Sequence, residues 1–272
     1  MADSLYIAND DLTSFESTAL TEGPWRTDAQ HGGPPSALLG FLTEQHVGPD
    51  EALVRINIEL RAGVPLDTLQ VTTTRTSMSR RVHRVRCELR HQDQVVAISN
   101  ALVLTGGEHP EPGGVTIHTP PVAPGDVVHT PAPTWASASV GTPFHRDAVE
   151  HRFVSGAFGV PGAAVDWVRL KVPVVEGHAL TGIQRVLACT DLGSGISALY
   201  DPGAGFGLIN ADLDVSFFGE HHGDWVLLDA ESHLAPSGTG VGISRLFDED
   251  SMVAIATQSL LGTRVRPAQD QG

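Results

Sequence analysis

Two segments with nearly the same letters, VVAISNALVL (Val95–Leu104) and MVAIATQSLL (Met252–Leu261), lie 157 residues apart, from position 95 to position 252. The same offset, with no gap, places the alternating segment RINIEL (Arg55–Leu60) over DLDVSF (Asp212–Phe217). One match between two stretches of a chain arises by chance, but a gapless series in the same order indicates repetition. The sequence therefore predicts a duplicated unit.

Each copy has the same predicted order of elements: a strand, a helix that begins at glycines, and three or four further strands. In the first copy Pro34 and Pro35 suit a first helical turn, and apolar residues at near-helical spacing extend the helix to about His46. GGPPSALL (Gly32–Leu39) aligns with GSGISALY (Gly193–Tyr200) at an offset of 161, from position 32 to position 193. This alignment predicts the helix of the second copy at Gly193.

The first helix is too apolar to lie on a surface, so other elements must cover it on most sides. One curved antiparallel sheet would do so, and the segments that follow the helix alternate apolar and polar residues between turn residues, as hairpins do. The predicted fold class is α+β. It consists of two tandem units, each with a central helix wrapped by a curved antiparallel sheet.

A proline-rich stretch separates the copies. From about Gly106 to Pro143 the chain holds eight of its 18 prolines and shows almost no periodic apolar pattern. Proline cannot donate to a sheet ladder, and the stretch is longer than an ordinary loop. We therefore predict an N-terminal unit over residues 1–105, a linker over 106–147 and a C-terminal unit over 148–268.

The composition excludes several classes of function. Thirty-two acidic against 17 basic residues give a formal charge of −15, which repels phosphate backbones and argues against nucleic-acid partners. Two cysteines build neither a disulfide scaffold nor a four-cysteine metal site. No apolar run approaches the ~18 residues of a membrane span, and the N-terminus lacks the features of a signal peptide. The expectation is a soluble, cytoplasmic protein.

The order of these segments resembles the double-hotdog acyl-CoA thioesterases, and most closely their thioesterase II-like branch. The segments that carry the resemblance are WRTDAQHGGPPSALL (Trp25–Leu39), NADLDVSFF (Asn210–Phe218), LLDAESHLAPSG (Leu227–Gly238) and AIATQSLL (Ala254–Leu261). The resemblance implies hydrolysis of acyl-CoA to free acid and coenzyme A, a reaction of lipid and fatty acid metabolism. Water attacks directly, with no cofactor, no metal and no covalent intermediate.

In that branch a carboxylate, a hydroxyl and an amide of the second unit hold the attacking water. The resemblance places the carboxylate on Asp212, as general base, and the amide on Gln258. The hydroxyl position falls on His233, which departs from the pattern and makes the rate sensitive to pH. The residues at the corresponding positions of the first copy are Arg55, Thr76 and Ala101. Since these do not repeat the trio, we expect one active site per chain.

Backbone N–H groups at a helix N-terminus would polarise the thioester carbonyl. Two places fit, with His31, Gly32 and Gly33 in the first copy and Gly193 and Ser194 in the second. The sequence leaves open which of them faces Asp212.

An arginine stripe is a candidate for the phosphates of coenzyme A. In VHRVRCELRH (Val82–His91), Arg84 and Arg86 lie on one strand face, with apolar residues on the other. The alternative is a solvated face or ion pairs.

Two other functions stay open at this point. The first is a protein of the same fold that binds acyl thioesters without turnover, which the departure at His233 leaves open. The second is an enoyl-thioester hydratase, which usually pairs an Asp with a His a few residues along the same segment, whereas His221 is the first histidine after Asp212. The acyl group does not follow from the sequence, and a homo-oligomer is compatible with it.

Overall fold

The computed structural model describes residues 3–24, 26, 28–108, 114, 117–131, 143–200 and 205–264. Trp25, in the first segment of the resemblance, lies outside these residues. So do positions 265–268, the end of the predicted C-terminal unit.

The described residues of the first half form six strands and one long helix. These are β1 (Tyr6–Ala8), β2 (Ser14–Ser17), α1 (Gly33–Glu44), β3 (Glu51–Leu60), β4 (Thr68–Ser77), β5 (Val82–His91) and β6 (Gln94–Thr105). The second half forms β7 (Val149–Ser155), β8 (Ala164–Leu170), α2 (Gly182–Thr190), α3 (Gly193–Ile196), β9 (Phe206–Asn210), β10 (Asp212–Phe217), β11 (Val226–Leu234), β12 (Thr239–Phe247) and β13 (Met252–Arg264). Short helical turns lie at Ala19–Thr21, Pro124–Asp126 and Phe144–Ala148.

All strands belong to one antiparallel sheet in the order β1-β2-β4-β5-β6-β3-β10-β13-β12-β11-β8-β7, with β9 on the edge of β13. The second half of this order mirrors the first, and the two halves join where β3 pairs with β10. The predicted α+β fold of two tandem units, each with a helix covered by an antiparallel sheet, is confirmed.

The strand registers repeat with the offset of the sequence. Asn57 pairs with Asn100, and 157 residues later Asp214 pairs with Thr257. At the join, Asn57 and Asp214 pair with each other, although they too are 157 positions apart. A pseudo-twofold axis between the halves therefore passes through this pair.

The helices α1 and α2 pack antiparallel on the inner face of the sheet. Every residue of α1 from Gly33 to Thr43 is buried, so the helix has no solvent face. A Cβ atom at Gly40 would lie 2.5 Å from Leu187 Cδ1, so glycine lets the two helices approach closely here. Residues of both halves share one apolar cluster, which includes Leu38, Ile58 and Leu213.

The position of the second helix corrects one expectation. The main helix of the second half is α2, which begins at Gly182, whereas Gly193 opens only the one-turn helix α3. Thr181 caps α2 by accepting a hydrogen bond from the Gln184 N–H, and the apolar residues of α2 pack on the core. GSGISALY and GGPPSALL share glycines and the letters SAL, but the two segments do not form equivalent helices.

Part of the predicted linker packs on the second half. The Trp167 indole donates to the Val122 carbonyl oxygen, and the Met252 N–H donates to the carbonyl oxygen of His118. The division of the chain at residues 105 and 147 stays a prediction, with β6 ending at Thr105 and β7 beginning at Val149.

Candidate functional site

A buried polar cluster joins the two halves where α1 begins and α2 ends. His31, just before α1, lies with Nδ1 3.2 Å from Oδ2 of Asp191, the C-cap residue directly after α2. Both side chains are at least nine-tenths buried. A Cβ atom at Gly32 would lie 2.5 Å from the same carboxylate oxygen, so only glycine leaves room for it.

Asp191 is held from its other side by residues of the second half. Its Oδ1 accepts a hydrogen bond of 2.7 Å from Asn210 Nδ2. Its backbone carbonyl accepts one of 3.3 Å from Gln258 Nε2. The carboxylate is thus fixed in position while Oδ2 faces the start of α1.

The Gln258 side chain links β13 to the short helix α3. It is 2% exposed, and its Oε1 accepts a hydrogen bond of 3.0 Å from the Ser194 N–H. Gly193 lies beside it, because a Cβ atom there would be 3.2 Å from Gln258 Oε1 and 2.4 Å from Ser244 Oγ. Six residues that the sequence singled out therefore meet in this cluster. They are His31, Gly32, Gly33, Gly193, Ser194 and Gln258.

One nitrogen of His31 has two competing partners. The Gly33 N–H donates to His31 Nδ1 at 3.0 Å, which requires that nitrogen to carry no proton. The contact with Asp191 becomes a hydrogen bond only when Nδ1 is protonated. Burial lowers the pKa of His31, against the opposing effect of the Asp191 carboxylate, and so favours the neutral ring. The hydrogen bond from the Gly33 N–H, and not the pKa, indicates that the proton of this neutral ring is on Nε2.

Two residues of the predicted water-holding trio lie elsewhere. Leu213 is fully buried, so Asp212 faces the outer side of the sheet, where its Oδ1 accepts a hydrogen bond of 2.7 Å from the Ser259 N–H. The His233 side chain is 59% exposed and lies 3.6 Å from Glu231 Oε2.

The strand register gives the separation of the trio. Ser259 pairs with Val241 and Val241 with His233, so Asp212 and His233 stand three strand spacings apart, or about 14 Å. Gln258 faces the inner side of the sheet. The trio does not converge in this structure.

The neighbouring Ser232 supplies the inward hydroxyl on β11. It lies in the same row as Gln258, since Ser232 pairs with Gly242 and Gly242 with Gln258. Its Oγ is 2.8 Å from Ser197 Oγ. Side chains alternate between the faces of a strand, so a shift of one residue exchanges an exposed imidazole for a buried hydroxyl.

Arg84 and Arg86 lie on the outer face of β5, opposite the buried Val85 and Cys87. Arg86 is engaged within the protein, with its guanidinium 3.0 Å from Asn100 Oδ1 and 2.9 Å from an oxygen of Glu88. This places both arginines on the side of the sheet away from the Asp191 cluster.

Two residues of the cluster, Asp191 and Asn210, were not identified from the sequence. Asp191 is the one acid in the apolar stretch RVLACTDLG, and a buried acid in such a stretch calls for a partner. Asn210 stands two residues before Asp212, and its side chain faces inward where that of Asp212 faces outward.

Within the described ranges, no group of three or more His, Cys, Asp or Glu side chains is arranged to hold a metal ion. In the same part of the chain, no helix combines the length and apolarity needed to span a bilayer.

Two central helices covered by one antiparallel sheet, with a polar cluster where the halves meet, define a double-hotdog protein. Two family models match the chain: the N-terminal domain of acyl-CoA thioesterases over residues 21–106, and their C-terminal domain over residues 123–261. The chain belongs to the acyl-CoA thioesterase family, whose members hydrolyse thioesters. The resemblance to the thioesterase II-like branch is confirmed.

Solved structures share the whole architecture. A conserved protein of unknown function with a hot dog fold from Alicyclobacillus acidocaldarius is 14% identical, with a TM-score of 0.69 over 98% of each chain. The acyl-CoA thioesterase II TesB2 of Mycobacterium marinum is 16% identical, with a TM-score of 0.62 over 90% of this chain and 92% of the other. The tesB protein of Mycobacterium avium subs. paratuberculosis is 14% identical, with a TM-score of 0.65 over 92% and 93%. At these identities the likeness shows the fold. A search of curated protein sequences found no match.

Proposed function

We propose that this protein hydrolyses acyl-CoA thioesters to free acid and coenzyme A, by direct attack of water at the junction of His31, Asp191 and Gln258. The family supports the class of reaction. The observation that carries the site is the Asp191 carboxylate, buried between His31 at the start of α1 and the Asn210 amide. Gln258 holds the backbone carbonyl of the same residue. The residues come from both halves, so the duplicated chain forms one such junction.

Hydrolysis of a thioester needs a base for the attacking water and a donor for the oxyanion. Asp191 is the base in this proposal, because Asn210 fixes one of its oxygens and leaves the other facing Gly32. Gln258 is a positioning residue, since its amide is engaged by Ser194 and by the Asp191 carbonyl.

The first turn of α1 offers few donors to the oxyanion. Pro34 and Pro35 have no N–H, and the Ser36 N–H donates to the Gly32 carbonyl. The Gly33 N–H remains, and in the resting state it donates to His31.

This arrangement couples protonation of His31 Nδ1 to the release of the Gly33 N–H, the donor for the oxyanion. When Asp191 takes a proton from water and passes it to His31 Nδ1, the imidazolium donates to Asp191 and the Gly33 N–H loses its acceptor. That N–H then donates to the oxyanion that forms when the water oxygen bonds to the thioester carbon. As this intermediate collapses, the C–S bond breaks and the imidazolium returns its proton, through Asp191, to the departing coenzyme A sulfur. A donor released only in the transition state lowers the barrier without tightening ground-state binding.

The alternative base is Asp212, which the resemblance indicates, with His233 and Gln258 orienting the water. That assignment stays a prediction. It places the reaction on the outer face of the sheet, where Asp212 accepts a hydrogen bond from Ser259.

The test is thiol release from short- to long-chain acyl-CoAs by wild type, Asp191→Asn and the matched variant Asp212→Asn. We expect Asp191→Asn to lose at least ~100-fold in kcat, the scale of a lost general base, and Asp212→Asn to stay within a few-fold of wild type. The opposite pattern would move the base to Asp212. Acyl-CoA binding by wild type with no thiol release from any substrate would make the protein a binding protein.

A further inference from the structure

A second buried Asp–His pair lies outside the cluster described above. His151 on β7 and Asp166 on β8 are in contact, with Nδ1 2.6 Å from Oδ2, and their side chains are 1% and 0% exposed. The other carboxylate oxygen, Oδ1, accepts a hydrogen bond of 3.1 Å from the Arg152 N–H. A carboxylate that receives Nδ1–H fixes the imidazole tautomer, so Nε2 carries the lone pair.

That lone pair has no hydrogen-bond partner among the residues that the structure describes. His151 Nε2 is buried, and no described residue forms a hydrogen bond with it. Buried polar atoms of native proteins are normally paired, by protein, water or ligand. An acceptor that is oriented by a buried acid and left open therefore indicates a ligand with a hydrogen-bond donor.

His151 is one of the residues that border a cavity of about 330 Å³. Its lining residues include Thr130, His145, Val149, Glu150, His151 and Lys171. The volume is sufficient for a small polar part of a ligand, and one whole coenzyme A would not fit.

The cavity lies next to the proposed active site. The ring of His145 is 5.7 Å from that of His151 and 5.0 Å from that of His31, between centroids. Phe144 stacks on His31 at 4.7 Å. The distance from the cavity to the start of α1 is therefore about two side chains, which one extended substrate can span.

We propose that this cavity is a subsite for the same substrate, and that His151 Nε2 accepts a hydrogen bond from a hydroxyl or amide N–H of that substrate. The identity of the substrate rests on the function proposed above. An acyl-CoA has such donors in two places: a hydroxyl on the acyl chain near the thioester, and the amides and hydroxyl of the pantetheine arm. Asp166 acts through His151 as a positioning residue.

The variants separate the two nitrogens of the ring. His151→Asn keeps an amide donor near the Nδ1 position, toward Asp166, and removes the acceptor at Nε2. His151→Gln restores a polar group near the Nε2 position. His222→Asn is the matched control, because His222 is exposed and does not line the cavity.

The first readout is kcat/KM for an acyl-CoA and for the 3-hydroxyacyl-CoA of the same length. If the donor is on the acyl chain, His151→Asn loses about tenfold with the hydroxyl substrate only, and His151→Gln recovers part of that loss. A site built to bind a hydroxyl discriminates strongly against the analogue without it. If the donor is on the pantetheine arm, both substrates lose about tenfold.

The second readout does not need turnover. In protein labelled with ¹⁵N-histidine, the Nε2 resonance of His151 should shift when coenzyme A alone binds (pantetheine source), or only when 3-hydroxyacyl-CoA binds to Asp191→Asn (acyl source). Unchanged kcat/KM in His151→Asn with both substrates would overturn the subsite. An equal loss with both substrates and no shift on coenzyme A binding would do the same. Absence of thiol release by wild type, with a shift on ligand binding, would instead refute the proposed function alone.

Discussion

Ala101 and Gln258 occupy equivalent positions in the two halves, and both are almost fully buried. The first presents a methyl group to the core, and the second presents an amide that binds the Ser194 N–H and the Asp191 carbonyl. The pseudo-twofold repeat thus keeps its backbone register while one interior is apolar and the other carries the polar cluster. This difference supports the proposal of one active site per chain.

Gln258→Ala, which makes the second half like the first at this position, should destabilise the protein. It removes two hydrogen bonds and leaves the buried Ser194 N–H without a partner, at a cost of about 1–3 kcal/mol in the free energy of unfolding. Urea denaturation measures this loss. Ser259→Ala, on the outer face of the same strand, is the control and should cost less than ~0.5 kcal/mol. Equal effects of the two variants would contradict the assignment.

Gly32→Ala should lower kcat/KM more than tenfold. The new methyl group would lie 2.5 Å from Asp191 Oδ2, so the carboxylate must move out of its place between His31 and Asn210. A displacement of this size at a general base is costly. Gly195→Ala in α3 is the control, because its Cβ atom meets nothing within 4 Å. Thiol release by Gly32→Ala at the wild-type rate would argue that Asp191 is not the base.

The stability of the protein should fall in mild acid. Burial lowers the pKa of His31 and lowers that of His145 further. As the pH falls, the unfolded state therefore binds these protons at a higher pH than the folded state does. The stabilisation is therefore complete above about pH 6.5, the ordinary imidazole pKa, and is lost as the pH falls below it, by about 1 kcal/mol per pH unit for each histidine that stays neutral.

Urea unfolding at pH 7.5 and pH 5.5 tests this dependence. His145→Phe, which keeps a ring in place, should show a smaller loss between the two values than wild type. His129→Gln replaces an exposed histidine and should match wild type. The comparison uses the difference between the two pH values, so a variant that is less stable at both remains informative.

Glu44, the last residue of α1, links this helix to the N-terminal end of α2. It accepts hydrogen bonds from Thr181 Oγ1 at 3.0 Å and from Gln184 Nε2 at 2.8 Å. Glu44→Ala should cost about 1–2 kcal/mol in the free energy of unfolding, because both donors lose their acceptor. Its KM should not change, since the length of α1, about 18 Å, separates it from the Asp191 cluster.

Glu44→Gln separates the charge of Glu44 from its hydrogen bonds. Burial raises the pKa of Glu44, although the two hydrogen bonds oppose this, so the charged form costs stability at neutral pH. The amide should therefore stay within ~0.5 kcal/mol of wild type. A loss as large as that of Glu44→Ala would show that the negative charge itself stabilises the start of α2.

The strand pairing was predictable because a sheet ladder tolerates few insertions. The offset that relates Val95 to Met252 also relates the pair Thr76–Arg84 to the pair His233–Val241. Register survives duplication because a slip of one residue would turn every buried side chain outward. The central helices were less predictable, since the loop before each helix is free to change length. The alignment at Gly193 therefore missed α2 and, with it, Asp191.

The sequence predicted which residue types and which strands contribute to the site. It was a weaker guide to the face of the strand on which each side chain lies. Gln258 and the glycines at positions 32 and 193 belong to the cluster, whereas His233 points outward beside the buried Ser232. In ESHLAP nothing in the letters decides which neighbour faces the core, because packing against α3 decides it. Asn210 ends β9 and Asp212 begins β10, and the break between the two strands turns their side chains to opposite faces.

The order of strands also explains why the proline-rich connection is long. It leaves β6 near the centre of the sheet and returns at β7 on the outermost edge, seven strand spacings away, or about 34 Å along the sheet. This segment is a tether that turns the pairing of β3 with β10 into an intramolecular event at a high effective concentration. If the chain were cut within the tether, the two fragments would have to meet in solution before β3 could pair with β10. Folding would then depend on the protein concentration.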